Sequence, residues 1–171
     1  MRSILLLCII FSSCTPVKFI PLKNSYADKP FEQTVDKSKD QVWENIIDFF
    51  AKNGLSIRLI DRTSGLIISD KTALKWTYEK KDGSLEFPLA WAAVPKVINT
   101  GNNMPYKFLT VNGDWNIRIK ESSGGTLINI NLVNINCYAS AYTLASNSPS
   151  AITVAGVKST GNFEKLIFDN I

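Results

Sequence analysis

Between Asp114 and Tyr138 the side chains keep a period of two on both sides of a polar turn, and few folds can accommodate such a segment. Trp115, Ile117 and Ile119 alternate with Asn116, Arg118 and Lys120; after Glu121-Ser-Ser-Gly-Gly, Ile128, Ile130 and Leu132 alternate with Asn129 and Asn131. Successive side chains of a strand point to opposite sides, so the pattern predicts a long antiparallel hairpin, apolar on one face and wet on the other. Past Leu132 the phase slips, because Ile135 and Cys137 are now the apolar partners of Asn134 and Asn136. One extra residue at Val133-Asn134, a β-bulge, would account for the slip. Cys137 then falls on the dry side and reads as an inert core thiol.

A sheet with one dry face needs a cover. The stretch "SKDQVWENIIDFFAKNG" supplies one: Val42, Trp43, Ile46, Ile47, Phe49 and Phe50 recur at helical spacing, with Lys39, Asp40, Glu44, Asn45, Asp48 and Lys52 on the other side. Ser38 and Gln41 have the S-x-x-Q spacing of a capping box, and Gly54 can take the left-handed conformation that ends a helix. The spacing therefore predicts a helix over 38–53. "FEQTV" (31–35) precedes it as a strand, and Leu55–Ile60 and Leu66–Asp70 follow as a hairpin around Asp61-Arg-Thr-Ser-Gly. In that hairpin Leu55, Ile57 and Leu59 are expected on one face, with Ser56 and Arg58 opposite.

The remaining segments are less regular. Residues 71–110 hold Trp76, Tyr78, Phe87, Trp91, Tyr106 and Phe108 without sustained period, and "LAWAAVPKVI" fits a short helix or a strand broken at Pro95. Residues 139–158, rich in Ser, Ala, Thr and Asn, read as a loop. "STGNFEKLIFDNI" predicts a second helix, capped by Ser159 or Thr160, with Phe163, Leu166, Ile167 and Ile171 as its apolar stripe. The order of elements is that of an α+β fold: an antiparallel sheet of about five or more strands with two helices packed on one face.

The first fourteen residues follow a different logic. Met1-Arg2 carries a positive charge, Ile4 to Phe11 is apolar but for Cys8, and Ser12-Ser13 are small. This is the three-part order of a secretory signal, and its apolar run is far shorter than the roughly 20 residues that span a bilayer. Cys14 follows the small pair at once. The arrangement resembles the lipobox of bacterial lipoproteins, with Phe11 in place of the preferred leucine, which implies acylation of Cys14 and attachment to a membrane of the cell envelope. On this reading residues 1–13 are the signal, 14–30 an acylated cysteine and a proline-bearing tether, and 31–171 a single α+β domain. Removal of Cys8 and acylation of Cys14 would leave only Cys137, so no internal disulfide is expected.

The stretch "VWENIIDFFAKNGLSIRLIDRTSGLIISDK" is similar in pattern to the helix-grip modules of envelope lipoproteins, best known from the BamC-type lipoprotein of the outer-membrane barrel-assembly machine. The resemblance covers about residues 31–70. It implies a helix-grip-like fold, an outer-membrane location and a non-catalytic role in contact with protein partners. It brings no set of functional residues with it.

Composition narrows the chemistry. The chain has no histidine, which removes the usual serine and cysteine triads, zinc sites built on imidazole and the commonest general base near neutral pH. Its 19 basic and 15 acidic residues form no lysine or arginine block, so a nucleic-acid partner is not expected. No catalytic residue, metal or cofactor is nominated. Trp76, Tyr78 and Trp91 are candidates to line a groove for a peptide or glycan, and they fit a core beneath a long connection as well. Arg58 and Arg118, on the polar faces of predicted strands, are candidates to hold an anionic group. A carboxylate-based hydrolase acting on an envelope glycan is the alternative, with Asp61, Asp70, Glu79, Glu86 and Asp114 as its candidates. The expected partners are therefore the membrane, through the N-terminal lipid, and a protein of the envelope.

Overall fold

The alternating segment folds as a hairpin, and the other elements are arranged around it. A computed structural model describes residues 17–24, 26, 31–99, 104–105, 108–141 and 150–171; Cys14 lies outside the described residues. In chain order the elements are β1 (Val17–Ile20), β2 (Phe31–Val35), α1 (Lys39–Lys52), β3 (Ile57–Asp61), β4 (Leu66–Ser69), β5 (Thr72–Ala73), β6 (Trp76–Thr77), β7 (Ala92–Ala93), β8 (Lys96–Asn99), β9 (Met104–Pro105), β10 (Phe108–Ser122), β11 (Gly125–Ala141), β12 (Ser150–Thr153), β13 (Lys158–Ser159) and α2 (Asn162–Phe168). Strands β10 and β11 pair from Phe108 opposite Ser140 to Ser122 opposite Gly125. Their register shifts between Asn112 and Asp114, and Asn134 stands there at φ 51°, a conformation that asparagine tolerates better than most residues. The bulge read from the phase slip is thus in place.

Each outer edge of the hairpin takes two further strands. Against β11 lie β2, opposite Thr126–Ile130, and β12, opposite Tyr138–Ala141. Against β10 lie β4, opposite Asn116–Arg118, and β5, opposite Asn112 and Gly113, with β3 beyond β4. The result is a seven-stranded antiparallel sheet.

One face of this sheet is dry. Trp115, Ile117, Ile119, Ile128, Ile130, Ala139 and Ile67 are fully buried there, together with Val42 and Ile46 of α1 and Phe163 and Ile167 of α2. Each of the valine, isoleucine and phenylalanine side chains among them contributes about 1.5–3 kcal/mol by leaving water. Phe163 is the hub: it stacks on Trp115 with centroids 4.0 Å apart, and meets Phe49, Phe50 and Trp91 edge-on at 6.0, 6.5 and 5.0 Å. Both helices therefore cover the same face. The capping box of α1 is closed in both directions, with Gln41 N donating to Ser38 Oγ at 3.3 Å and Ser38 N to Gln41 Oε1 at 3.1 Å. Asn45 Nδ2 and Lys37 Nζ donate to the carbonyl of Ile171, so the chain end is fastened beside α1.

Several local expectations change. The register of β3 against β4 shifts between Ile57 and Leu59, so Ile57 pairs with buried Ser69 while Leu59 pairs with Ile68 on the wet face, 43% exposed. A strict period of two cannot survive that shift. In α2 the buried position beside Phe163 and Ile167 is Glu164, whereas Leu166 is 38% exposed, and the N-cap is Gly161 with no side-chain cap. Thr160 Oγ1 still accepts from Asn162 N, at 3.4 Å. Within the stretch read as a loop, β12 pairs with β11, because Ile152 faces Ala139 on the dry side. Within the stretch read as a tether, β1 pairs with β8, Val17 opposite Asn99 and Ile20 opposite Lys96. "LAWAAVPKVI" takes the strand alternative, with β7 and β8 on either side of buried Val94 and Pro95. Proline has no amide to continue a ladder, so the strand divides there.

Candidate functional site

The three nominated aromatics belong to the packing. Tyr78 is 9% exposed, and Trp76 meets it edge-on at 5.2 Å. Trp91 packs on Phe163, and the ammonium of Lys75 sits 5.1 Å from its ring, a cation–π distance. Burial pushes the Tyr78 hydroxyl up to about 12 and the Cys137 thiol up to about 11, so both are neutral at physiological pH. None of the clefts described below is lined by these aromatics.

The nominated charged residues are partly brought together. Arg58, Asp70, Lys71, Asp114, Asn134 and Asn136 line a cleft of about 240 Å³ where the bulge opens the outer face of the sheet. Asp114 is 7% exposed, and its Oδ2 receives Arg58 Nη2 at 3.2 Å and Asn134 Nδ2 at 2.9 Å. The bulge explains that convergence, since the extra residue turns Asn134 toward the neighbouring strand. Two acidic side chains, Asp70 and Asp114, thus share a cleft, but the Asp114 Oδ2 is tied to Arg58 and Asn134. Asp70 Oδ1 accepts from Lys71 N at 2.8 Å.

The others stand apart. Asp61 closes the β3–β4 turn, where hydrogen bonds from Ser64 hold its carboxyl below the usual range. Glu86 is exposed and its amide donates to the Tyr78 carbonyl at 3.0 Å. Arg118 is half-buried in the middle of the outer sheet face, opposite Leu66 on one side and Asn129 on the other, and its Nε has no hydrogen-bond partner.

A second cleft has no counterpart in the sequence reading. It measures about 360 Å³ and lies between the chain just after β1, the turn beyond Tyr78 and strand β8. Ile20, Leu22, Val94 and Ile98 form its apolar walls, and Lys23, Lys80, Lys81 and Lys96 its rim. Glu79 is the clasp that holds it together. Burial alone would push its carboxyl up, but the backbone amides of Lys23 and Asn24 and the Tyr26 hydroxyl donate to it and bring it below the usual range. Lys23 Nζ donates to the Lys81 carbonyl and Asn24 Nδ2 to the Gly83 carbonyl, completing the seam. The Tyr26 hydroxyl is pushed up to about 12 by burial and by its bond to Glu79. No periodic signal marks this cleft, because three segments far apart in the chain converge to make it.

Compared with known proteins, the chain matches no protein-family model and no curated protein sequence.

Proposed function

We propose that this chain is a lipid-anchored protein of the bacterial cell envelope, attached to the outer membrane through an acylated Cys14 and serving as a non-catalytic binding or scaffold module in an envelope complex. The observation that carries the binding role is the open face of the main sheet. Leu66, Ile68, Asn116, Arg118, Leu127, Asn129 and Asn131 all point away from the helices, and none is buried. Apolar side chains around an arginine and a row of carboxamides suit a protein partner, where arginine and apolar contacts carry affinity and amides fix register. The carboxylate hydrolase has one observation on its side, the shared cleft of Asp70 and Asp114. It is the weaker reading, because glycoside hydrolysis needs two carboxyl groups free to act and Asp114 is occupied by Arg58 and Asn134.

The test has two arms. Mass spectrometry of the mature amino-terminal peptide from the native host should find Cys14 acylated, and Cys14→Ser should abolish the lipid and release the chain from the membrane fraction. A photo-crosslinking residue placed at Ile68 or Arg118 in intact cells should give an adduct of defined mass, and one at Glu44 on the exposed side of α1 should not. A freely soluble, unmodified wild-type chain refutes the anchor; the absence of outer-face adducts refutes the scaffold role.

A further inference from the structure

The lysine-rimmed cleft is built as a site rather than left over as a gap between segments. On the outward face of the β1–β8 ribbon Ile20 stands directly opposite Lys96, and Lys18 opposite Ile98, while Val97 on the reverse side is fully buried in the core. Apolar and cationic side chains therefore share one surface. Buried Val94 continues the apolar wall, and Lys80 and Lys81 approach from the turn held by Glu79. The one carboxylate lining the cleft accepts hydrogen bonds from residues 23, 24 and 26, and the rim charge that acts on it is that of Lys23. Among the described residues the two ion pairs, Arg58–Asp114 and Arg62–Asp40, lie elsewhere; the Lys80 charge is felt by Asp82 in the neighbouring turn, and neither Lys81 nor Lys96 forms an ion pair.

We propose that this cleft binds an anionic amphiphile, one acyl chain lying between Ile20, Leu22, Val94 and Ile98 with its phosphate or carboxylate head among the lysines. Three observations select this chemistry. A volume of about 360 Å³ falls in the roughly 300–1,000 Å³ range of small-molecule sites. The walls offer nothing to a bare inorganic anion, which gains only from charge and hydrogen bonds. The rim offers nothing to a neutral chain, whereas lysine stems lie along apolar surface and present their ammonium groups at its edge. The proposal stands independently of acylation at Cys14, because every residue it uses follows position 17.

The head group has two possible sources, a membrane phospholipid or a free fatty acid, and photolabelling separates them. The full chain is placed in phosphatidylcholine vesicles doped with a photoactivatable phosphatidylglycerol, a photoactivatable fatty acid or a photoactivatable phosphatidylcholine, and labelled peptides are mapped. The expected result is labelling within residues 18–24, 79–81 and 94–98 by one or both anionic probes, which identifies the source. The phosphatidylcholine probe should label those peptides far less. Lys80→Ala/Lys81→Ala/Lys96→Ala should cut the anionic labelling by roughly tenfold, with loss on raising the salt concentration as well. These lysines are rim residues, so the variant retains its fold, and an unchanged circular dichroism spectrum verifies it. Equal labelling by the neutral probe, labelling insensitive to the lysine changes, full competition by inorganic phosphate alone, or labelling confined to other peptides would each overturn the proposal.

Discussion

Glu164 is fully buried on the helix side of the main sheet, and only one of its carboxyl oxygens is engaged, accepting from Ser159 Oγ at 2.7 Å. Burial pushes its carboxyl above the usual range, since the charged form loses its hydration. In the unfolded chain the same group ionises near its ordinary value of 4.5. Below that pH both states hold the proton and the group contributes no pH dependence. Above it the unfolded state releases the proton while the folded state keeps it, so stability falls as pH rises toward the folded value. Glu164→Gln keeps the shape without the ionisation. Its urea midpoint relative to wild type is expected to rise from pH 4 to pH 8, and a gap that narrows over that range would refute the buried-acid reading. The sequence concealed this residue. In a helix of two turns the spacing Phe163–Ile167 fixes one line along the axis, but Glu164 and Leu166 flank that line, and hydropathy chose the wrong one.

At the scale of elements, legibility followed length. Helix α1 repeats its apolar stripe over four turns, and β10 and β11 hold alternation long enough for a phase slip to show, so the capping box, the hairpin and the bulge at Asn134 were all readable. Strands β5, β6, β7 and β13 have two residues each, too few to display a period, and their existence depends on partners distant in the chain. The same reason hid the lysine-rimmed cleft, whereas Arg58, Asp70 and Asp114 were each nominated but not as a group. The turn between β3 and β4 offers a test of how one element docks on another. Gly65 sits at φ +73°, its carbonyl accepts from Ile119 N at 2.8 Å, and a Cβ there would lie 2.0 Å from the Ile119 carbonyl oxygen. Gly65→Ala should cost about 1–3 kcal/mol from the backbone conformation alone, with more from the clash. A denaturant midpoint unchanged from wild type would show that the β3–β4 turn does not press on β10.

For the whole molecule, the consequential strand is β1, which lies within the stretch read as a tether. Residues 14–30 carry prolines and scattered lysines, and nothing in their composition signals a ladder; β1 forms because β8 offers it an edge and because Glu79 fastens the residues that follow. Limited proteolysis measures that fastening. Trypsin should cut after Lys18 and Lys23 more slowly, on the order of tenfold or more, than in a free peptide spanning residues 15–24, as expected for bonds that must open before cleavage. Equal rates would mean that β1 detaches in solution. The pairing of β1 also sets a distance. Three peptide units separate position 14 from Val17, so their Cα atoms lie at most about 11 Å apart. An acylated Cys14 would then seat the globule directly on the lipid rather than let it drift at the end of a leash, and whatever it recognises must come to it within that thin layer, already oriented.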